Sequence, residues 1–233
     1  MNEEEIWDDT TNSYIKVGKK IKKNFWEFSK QEKIDLIISW LTLSIAFSLV
    51  LINFDLISAI SGSTNFLSPL IAFPIALIAV GTGFVFHELA HRQAARHFGF
   101  VSEYRAWYPM LAIAVIMAVL TGWILAAPGA TYFFGRNVTR RQDGIISIAG
   151  PITNIVLGVF LTILAMFTPN ALFITILISC ARINFFFALF NLMPIWVLDG
   201  KKVLAWNPLA WALAITIPLI ATLVPGLFFG FFI

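Results

Sequence analysis

Polar and apolar residues are segregated into long blocks along most of this chain rather than interleaved. Residues 1 to 35 hold seven lysines and eight acids, and Leu36 to Phe54 then runs for 19 residues without a charge. That length suffices for one membrane crossing, which takes about 20 residues. A second apolar helix is predicted from about Pro69 to His97, with no ionisable residue between Phe66 and Phe86. Met110 to Ala127 is apolar for 18 residues, bracketed by Pro109 and Pro128-Gly129 with Gly122 inside. This marginal length fits either a crossing or a segment that dips in and returns. Ile145 to Phe167 and Ala171 to Pro194 give two more helices, joined by the uncharged turn Thr168-Pro169-Asn170. Trp206 to Ile233 is apolar but broken by Pro218 and Pro225, as one kinked span or a short hairpin would be. The pattern predicts an all-α polytopic membrane protein with five or six transmembrane helices. A charged tail occupies 1–35 and a membrane-embedded domain 36–233.

Composition agrees: 59% of residues are hydrophobic and 12% charged, which argues against a soluble enzyme or a nucleic-acid-binding module. Trp107, Trp123, Trp196, Trp206 and Trp211 fall near predicted segment ends, as interfacial aromatics do. The single cysteine, Cys180, reads as packing in an apolar helix, and no cleavable signal is expected. The tail reads as a disordered acidic tip followed by an amphipathic juxtamembrane helix around Lys16, Lys19, Lys20, Lys22 and Lys23. Asp55 to Ser68 has no Lys or Arg, so the positive-inside rule puts the N-terminus in the cytoplasm. If 110–127 crossed, Arg136, Arg140 and Arg141 would lie outside, against that bias. A non-crossing segment keeps them cytoplasmic and brings the end of the 171–194 helix to the same side. That helix carries one buried charge, Arg182, to which the sequence assigns no role.

Two of the three histidines lie in His87-Glu88-Leu89-Ala90-His91. Residues four apart share a helix face, so the two imidazoles can grip one metal while Glu88 reaches a water beside it. Unpaired Glu and His in an apolar helix cost roughly 2 to 4 kcal/mol each unless they face a cavity or a ligand. A catalytic zinc takes three protein ligands, so a third donor is needed. His97 points away from the pair, and Asp143 and Glu103 stand beside arginines in loops. Asp199 follows the inward-running helix and the Pro194 break, at the depth of the histidines, with Gly200 after it to allow a tight turn. Gly150-Pro151-Ile152-Thr153-Asn154 and Asn191-Leu192-Met193-Pro194 each put an amide in apolar surroundings. Asn154 and Asn191 serve either as interhelical hydrogen bonds or as contacts to an extended substrate backbone or a developing oxyanion.

HELAH, GPITN and NLMPIWVLDG, in that order and each in or beside a hydrophobic segment, resemble the site-2 protease family of intramembrane zinc metalloproteases. The resemblance covers roughly Leu36 to Trp206. It implies that His87, His91 and Asp199 bind Zn2+, that Glu88 is the general base, and that Asn154 and Asn191 contact substrate. It also implies a membrane-immersed re-entrant or β-hairpin element after the HExxH helix, at Glu103 to Gly135. No region resembles the PDZ or CBS domains that family members often carry, so a minimal form is expected. The implied function is hydrolysis of a peptide bond in a transmembrane protein substrate, as in regulated intramembrane proteolysis, by a multi-pass protein of the cell membrane with its active-site end cytoplasmic. The alternative is a non-catalytic membrane metal-binding scaffold or transporter. A transporter would spread polar groups along several helices, whereas here, Arg182 apart, they gather at one depth.

Overall fold

The computed structural model describes residues 4–8, 13–17, 27–52, 68–124, 128–135 and 137–224. Four helices are long and apolar enough to cross a membrane, and two shorter apolar helices accompany them. The protein is thus a mostly helical, polytopic membrane protein, with six apolar helices among the described residues. The first interhelical loop and residues 225–233 lie outside them, and with them the choice between a kinked span and a hairpin at the C-terminus.

The N-terminal tail differs from expectation. Glu4–Asp8 (β1) and Ser13–Val17 (β2) pair antiparallel, Ile6 opposite Ile15 and Trp7 opposite Tyr14. Charge content suggested disorder, but two short runs with β-branched and aromatic residues around Asp-Asp-Thr-Thr-Asn carry a hairpin signal of their own. The lysine-rich stretch after Lys16 falls mainly on residues 18–26, outside the described set.

Helix α1, Lys30–Leu51, starts six residues before Leu36, with the Ser29 hydroxyl accepting from the backbone N–H of Glu32. Glu32 and Asp35 therefore belong to its first turns and are buried. Glu32 Oε1 accepts from Arg92 Nε at 2.8 Å and from the backbone N–H of Tyr104 at 3.2 Å, and the Arg92 guanidinium lies 3.8 Å over the Phe28 ring. A buried charge is tolerated when paired and hydrogen-bonded, and this pair clamps α1 to the helix carrying the HELAH sequence.

That second rod comprises α2 (Ser68–Val80), a π-helical turn (Gly81–Val85) and α3 (Phe86–His97). Its glycines permit close approach: a Cβ on Gly81 would lie 3.3 Å from the Trp40 indole, and one on Gly83 2.8 Å from Phe187. Leu43, Phe47, Ala76, Ala79, Val80 and Phe187 form the core between α1, α2 and α6 (Ala171–Leu192).

The ambiguous middle segment combines a β-strand pair with a short apolar helix, so the re-entrant and β-hairpin descriptions both apply to it. Strand β3 (Val101–Ala106) pairs antiparallel with β4 (Gly129–Phe134), Ala106 opposite Gly129, so the two ends of the segment that carries α4 (Tyr108–Thr121) meet at one place. The 14 residues of α4 span about 21 Å at 1.5 Å each, short of the roughly 30 Å hydrocarbon core. It ends at Gly122, whose φ of 69° is the left-handed cap conformation that glycine adopts without strain. The segment goes in and comes back. Tyr104 fixes its base, its phenol donating to Ser39 Oγ at 2.9 Å, and burial pushes that phenol's pKa well up.

Helix α5 (Arg140–Met166) packs along α6, α3 and α7 (Asp199–Trp206), and α8 (Pro208–Leu223) closes against α6. A Cβ on Gly158 would sit 2.9 Å from Phe185, so α5 and α6 approach closely there. Arg182 lies on a face of α6 that the rest of the described protein leaves uncovered, because the inward positions Ala181, Ile183, Asn184 and Phe185 turn it outward.

Candidate metal centre

The geometry is set by where each histidine spends its Nδ1. His87 Nδ1 lies 2.5 Å from Asn154 Oδ1, and His91 Nδ1 lies 2.7 Å from the carbonyl oxygen of Ile146. Both partners are acceptors. Asn154 cannot turn its amide over, because its Nδ2 already donates to Gly83 O at 2.7 Å and Asn184 Oδ1 at 2.9 Å. Each Nδ1 therefore carries the proton, and each Nε2 presents a lone pair.

Those lone pairs face one another. His87 Nε2 and His91 Nε2 are 2.9 Å apart, and Asp199 Oδ2 lies 3.3 Å from the first and 3.1 Å from the second. A tetrahedral zinc with bonds of about 2.0–2.1 Å sets its donors about 3.3 Å apart. Three electron-pair donors at this spacing, two with their protons committed elsewhere, make a cation site, and these are the three described residues that lie close enough together to hold one metal ion.

Local sequence explains each position. A Cβ at Gly150 would run into His91 Nε2 and approach His87 Nε2 to 2.7 Å, so α5 backs directly on the imidazoles only because that residue is glycine. The π-helical turn just before His87 contributes the Gly83 carbonyl to Asn154, and such turns recur at functional sites. Gly200 works by close approach rather than by turning the chain: a Cβ there would collide with the carbonyls of Leu192 and Met193, so α7 can start against the end of α6 with Asp199 at its first position.

Glu88 is buried on the neighbouring face, where its Oε2 accepts from Thr131 Oγ1 at 2.8 Å. Thr131 belongs to β4, so the returning strand holds the glutamate. The structure thus brings His87, Glu88, His91 and Asp199 to one cavity, which Asn191 also lines while its Nδ2 donates to Phe187 O. It does not bring Asn154 to the open side. Fully buried, with its amide engaged by His87, Gly83 and Asn184, Asn154 stands behind a histidine. His97 is exposed, Asp143 faces Lys202 at 3.6 Å, and Glu103 pairs with Arg105.

Sequence reasoning missed Asn184, Thr131 and the Ile146 carbonyl. Asn184 had a signal, a polar amide in an otherwise apolar helix. It donates to Thr82 Oγ1 and Cys180 O while accepting from Asn154, so the chain of amides runs from α6 through α5 to His87. Partners that orient a metal-binding histidine typically contribute ten- to a hundredfold in metal affinity. Asn154→Ala is accordingly expected to weaken zinc binding by about that factor, measured by competition with a chelator. Unchanged affinity together with lost turnover would instead put Asn154 at the substrate.

No protein-family model matches the chain, and no solved structure matches it. It is 30% identical over 159 residues to the Bacillus subtilis protein named "Putative zinc metalloprotease YwhC", covering 58% of this chain and 70% of that one. It is 41% identical over 198 residues to "Putative zinc metalloprotease MJ0611" of Methanocaldococcus jannaschii, covering 84% of this chain and 95% of the relative. At that identity across nearly the whole relative, the chain belongs to this family of zinc metalloproteases, and its four span-length helices make it a membrane member.

Proposed function

We propose that this protein is an intramembrane protease of the site-2 type, which hydrolyses a peptide bond within or beside a transmembrane segment of another membrane protein. The observation that carries the reading is the convergence of His87 Nε2, His91 Nε2 and Asp199 Oδ2, with Glu88 alongside, in a cavity among helices of membrane-spanning length. Zinc held by these three donors would supply Lewis-acid chemistry, lowering the pKa of a water toward about 7 and polarising a carbonyl.

The residues do the rest. Thr131 holds Oε2 of Glu88, leaving Oε1 to take a proton from the attacking water and pass it to the leaving amine nitrogen. Asn191, on the cavity wall, binds the substrate backbone. A helical substrate hides its carbonyls in hydrogen bonds, so the target must be extended. Among the described residues strand β4 pairs only with β3, on one edge, and Gly129, Ala130, Thr131 and Phe133 of β4 border the cavity. Addition of an unwound substrate as a third strand along β4 would expose the scissile bond.

The positive-inside bias supports an orientation with the N-terminus and the metal in the cytoplasmic half of a cell membrane. Single cysteines at Val138 and Pro169, with Cys180 replaced, are expected to label with an impermeant reagent from the cytoplasmic and the opposite face respectively. The reverse pattern would invert the orientation. The zinc-loaded protein in vesicles is expected to cut a single-span substrate inside its hydrophobic segment, as mapped by mass spectrometry. Cuts confined to exposed loops would refute the intramembrane reading and leave the metalloprotease standing.

A further inference from the structure

Hydroxyls inside apolar helices have a local way to satisfy themselves, by donating to the carbonyl one turn back. This chain uses it repeatedly: Ser44 donates to Trp40 O, Thr153 to Ala149 O, Thr162 to Gly158 O and Thr175 to Ala171 O, at 2.7 to 3.0 Å. Ser147, on α5, does not. It is 1% exposed and its Oγ has no hydrogen-bond partner among the described residues. The unspent hydroxyl belongs to a residue that lines the catalytic cavity. Its surroundings fix the place closely. The preceding residue, Ile146, holds His91 through its carbonyl, and Gly150, one turn on, abuts both imidazoles. The other hydroxyl bordering the cavity, Thr131, is committed to Glu88.

A buried donor without a partner is costly in the resting protein, and this one borders the cavity that holds the metal ligands, where a group that gains charge during the reaction could satisfy it. We propose that Ser147 is a further catalytic residue: its hydroxyl donates a hydrogen bond to the carbonyl oxygen of the scissile peptide as that oxygen gains negative charge. The assignment rests on the proteolytic reading above. As water adds to the carbonyl carbon, the π pair moves onto the oxygen. The proton leaves the water for Glu88 and ends on the amine released when the C–N bond breaks. Ser147 keeps its own proton throughout and acts only as a donor.

The test compares wild type, Ser147→Ala and Ser147→Thr, each zinc-loaded in vesicles with a single-span substrate, and records the melting temperature of each metal-free protein. Ser147→Ala is expected to lower kcat about a hundredfold, the loss seen when one oxyanion donor is removed, with KM and zinc content held. Its melting temperature should be unchanged or higher, because an unsatisfied buried group has been removed, and Ser147→Thr should retain turnover. A kcat for Ser147→Ala within twofold of wild type overturns the assignment and leaves the proteolytic reading intact. Loss of turnover together with a lowered melting temperature or lost zinc also overturns it, because Ser147 would then be structural. Failure of wild type itself to cleave defeats the proteolytic reading, and the Ser147 assignment falls with it.

Discussion

Gly150→Ala is expected to abolish zinc binding and proteolysis while leaving the helices in place. The added methyl would collide with His91 Nε2 and stand 2.7 Å from both Nε2 and Cε1 of His87. Neither ring can yield by a small rotation, because each is buried and held at Nδ1 by Asn154 or by the Ile146 carbonyl. Relief must come from moving a ligand or from separating α3 from α5. A protein metal site tolerates only about 0.2 Å in its ligand distances, whereas relieving this contact moves an atom by several times that. The global cost is smaller, about 1–3 kcal/mol for overpacking, so the variant should still purify as a monodisperse helical protein. Zinc content by metal analysis beside far-UV circular dichroism checks the outcome. Wild-type zinc affinity in Gly150→Ala would mean that the metal does not sit between these imidazoles.

The residues most legible in the sequence were those that violate their surroundings. His87, Glu88 and His91 stood out because ionisable groups in a long apolar helix need a reason, and Asp199 because it follows the Pro194 break at a matching depth. What was not legible depended on pairing between distant positions. Strands β3 and β4 are short and separated by a helix, and nothing local says that Tyr104 faces Thr131. The Glu32–Arg92 pair joins residues 60 apart, and each alone reads as a solvated charge at a membrane edge. Asn154 was visible as a buried amide, but whether it faced substrate or histidine depended on the rotation of α5, which the Gly150 contact fixes. The N-terminal hairpin is hard to see in the sequence because the charge density of the tail masks the alternation of its two short runs.

Glu88→Gln is expected to remove proteolysis, by a thousandfold or more, while zinc content and folding stay at wild-type levels. A positioned base contributes about 10²–10⁴-fold, and here the same carboxylate serves both proton transfers, from water and to the amine, so the loss should fall toward the upper end. The amide has the size of the carboxylate and keeps an oxygen that can accept from Thr131 Oγ1, so the contact to β4 survives. It cannot accept a proton. Zinc should stay because the three donors, His87, His91 and Asp199, do not include Glu88. Glu88→Ala would confound the result by removing the carboxylate that Thr131 holds at 2.8 Å, leaving it only the longer contact to the backbone carbonyl, and by opening space beside His87. Single-turnover cleavage measured with the zinc content of the same sample separates the possibilities. Cleavage by Glu88→Gln at a rate near wild type would remove Glu88 as the base, whereas loss of zinc would show that the carboxylate helps to hold the metal.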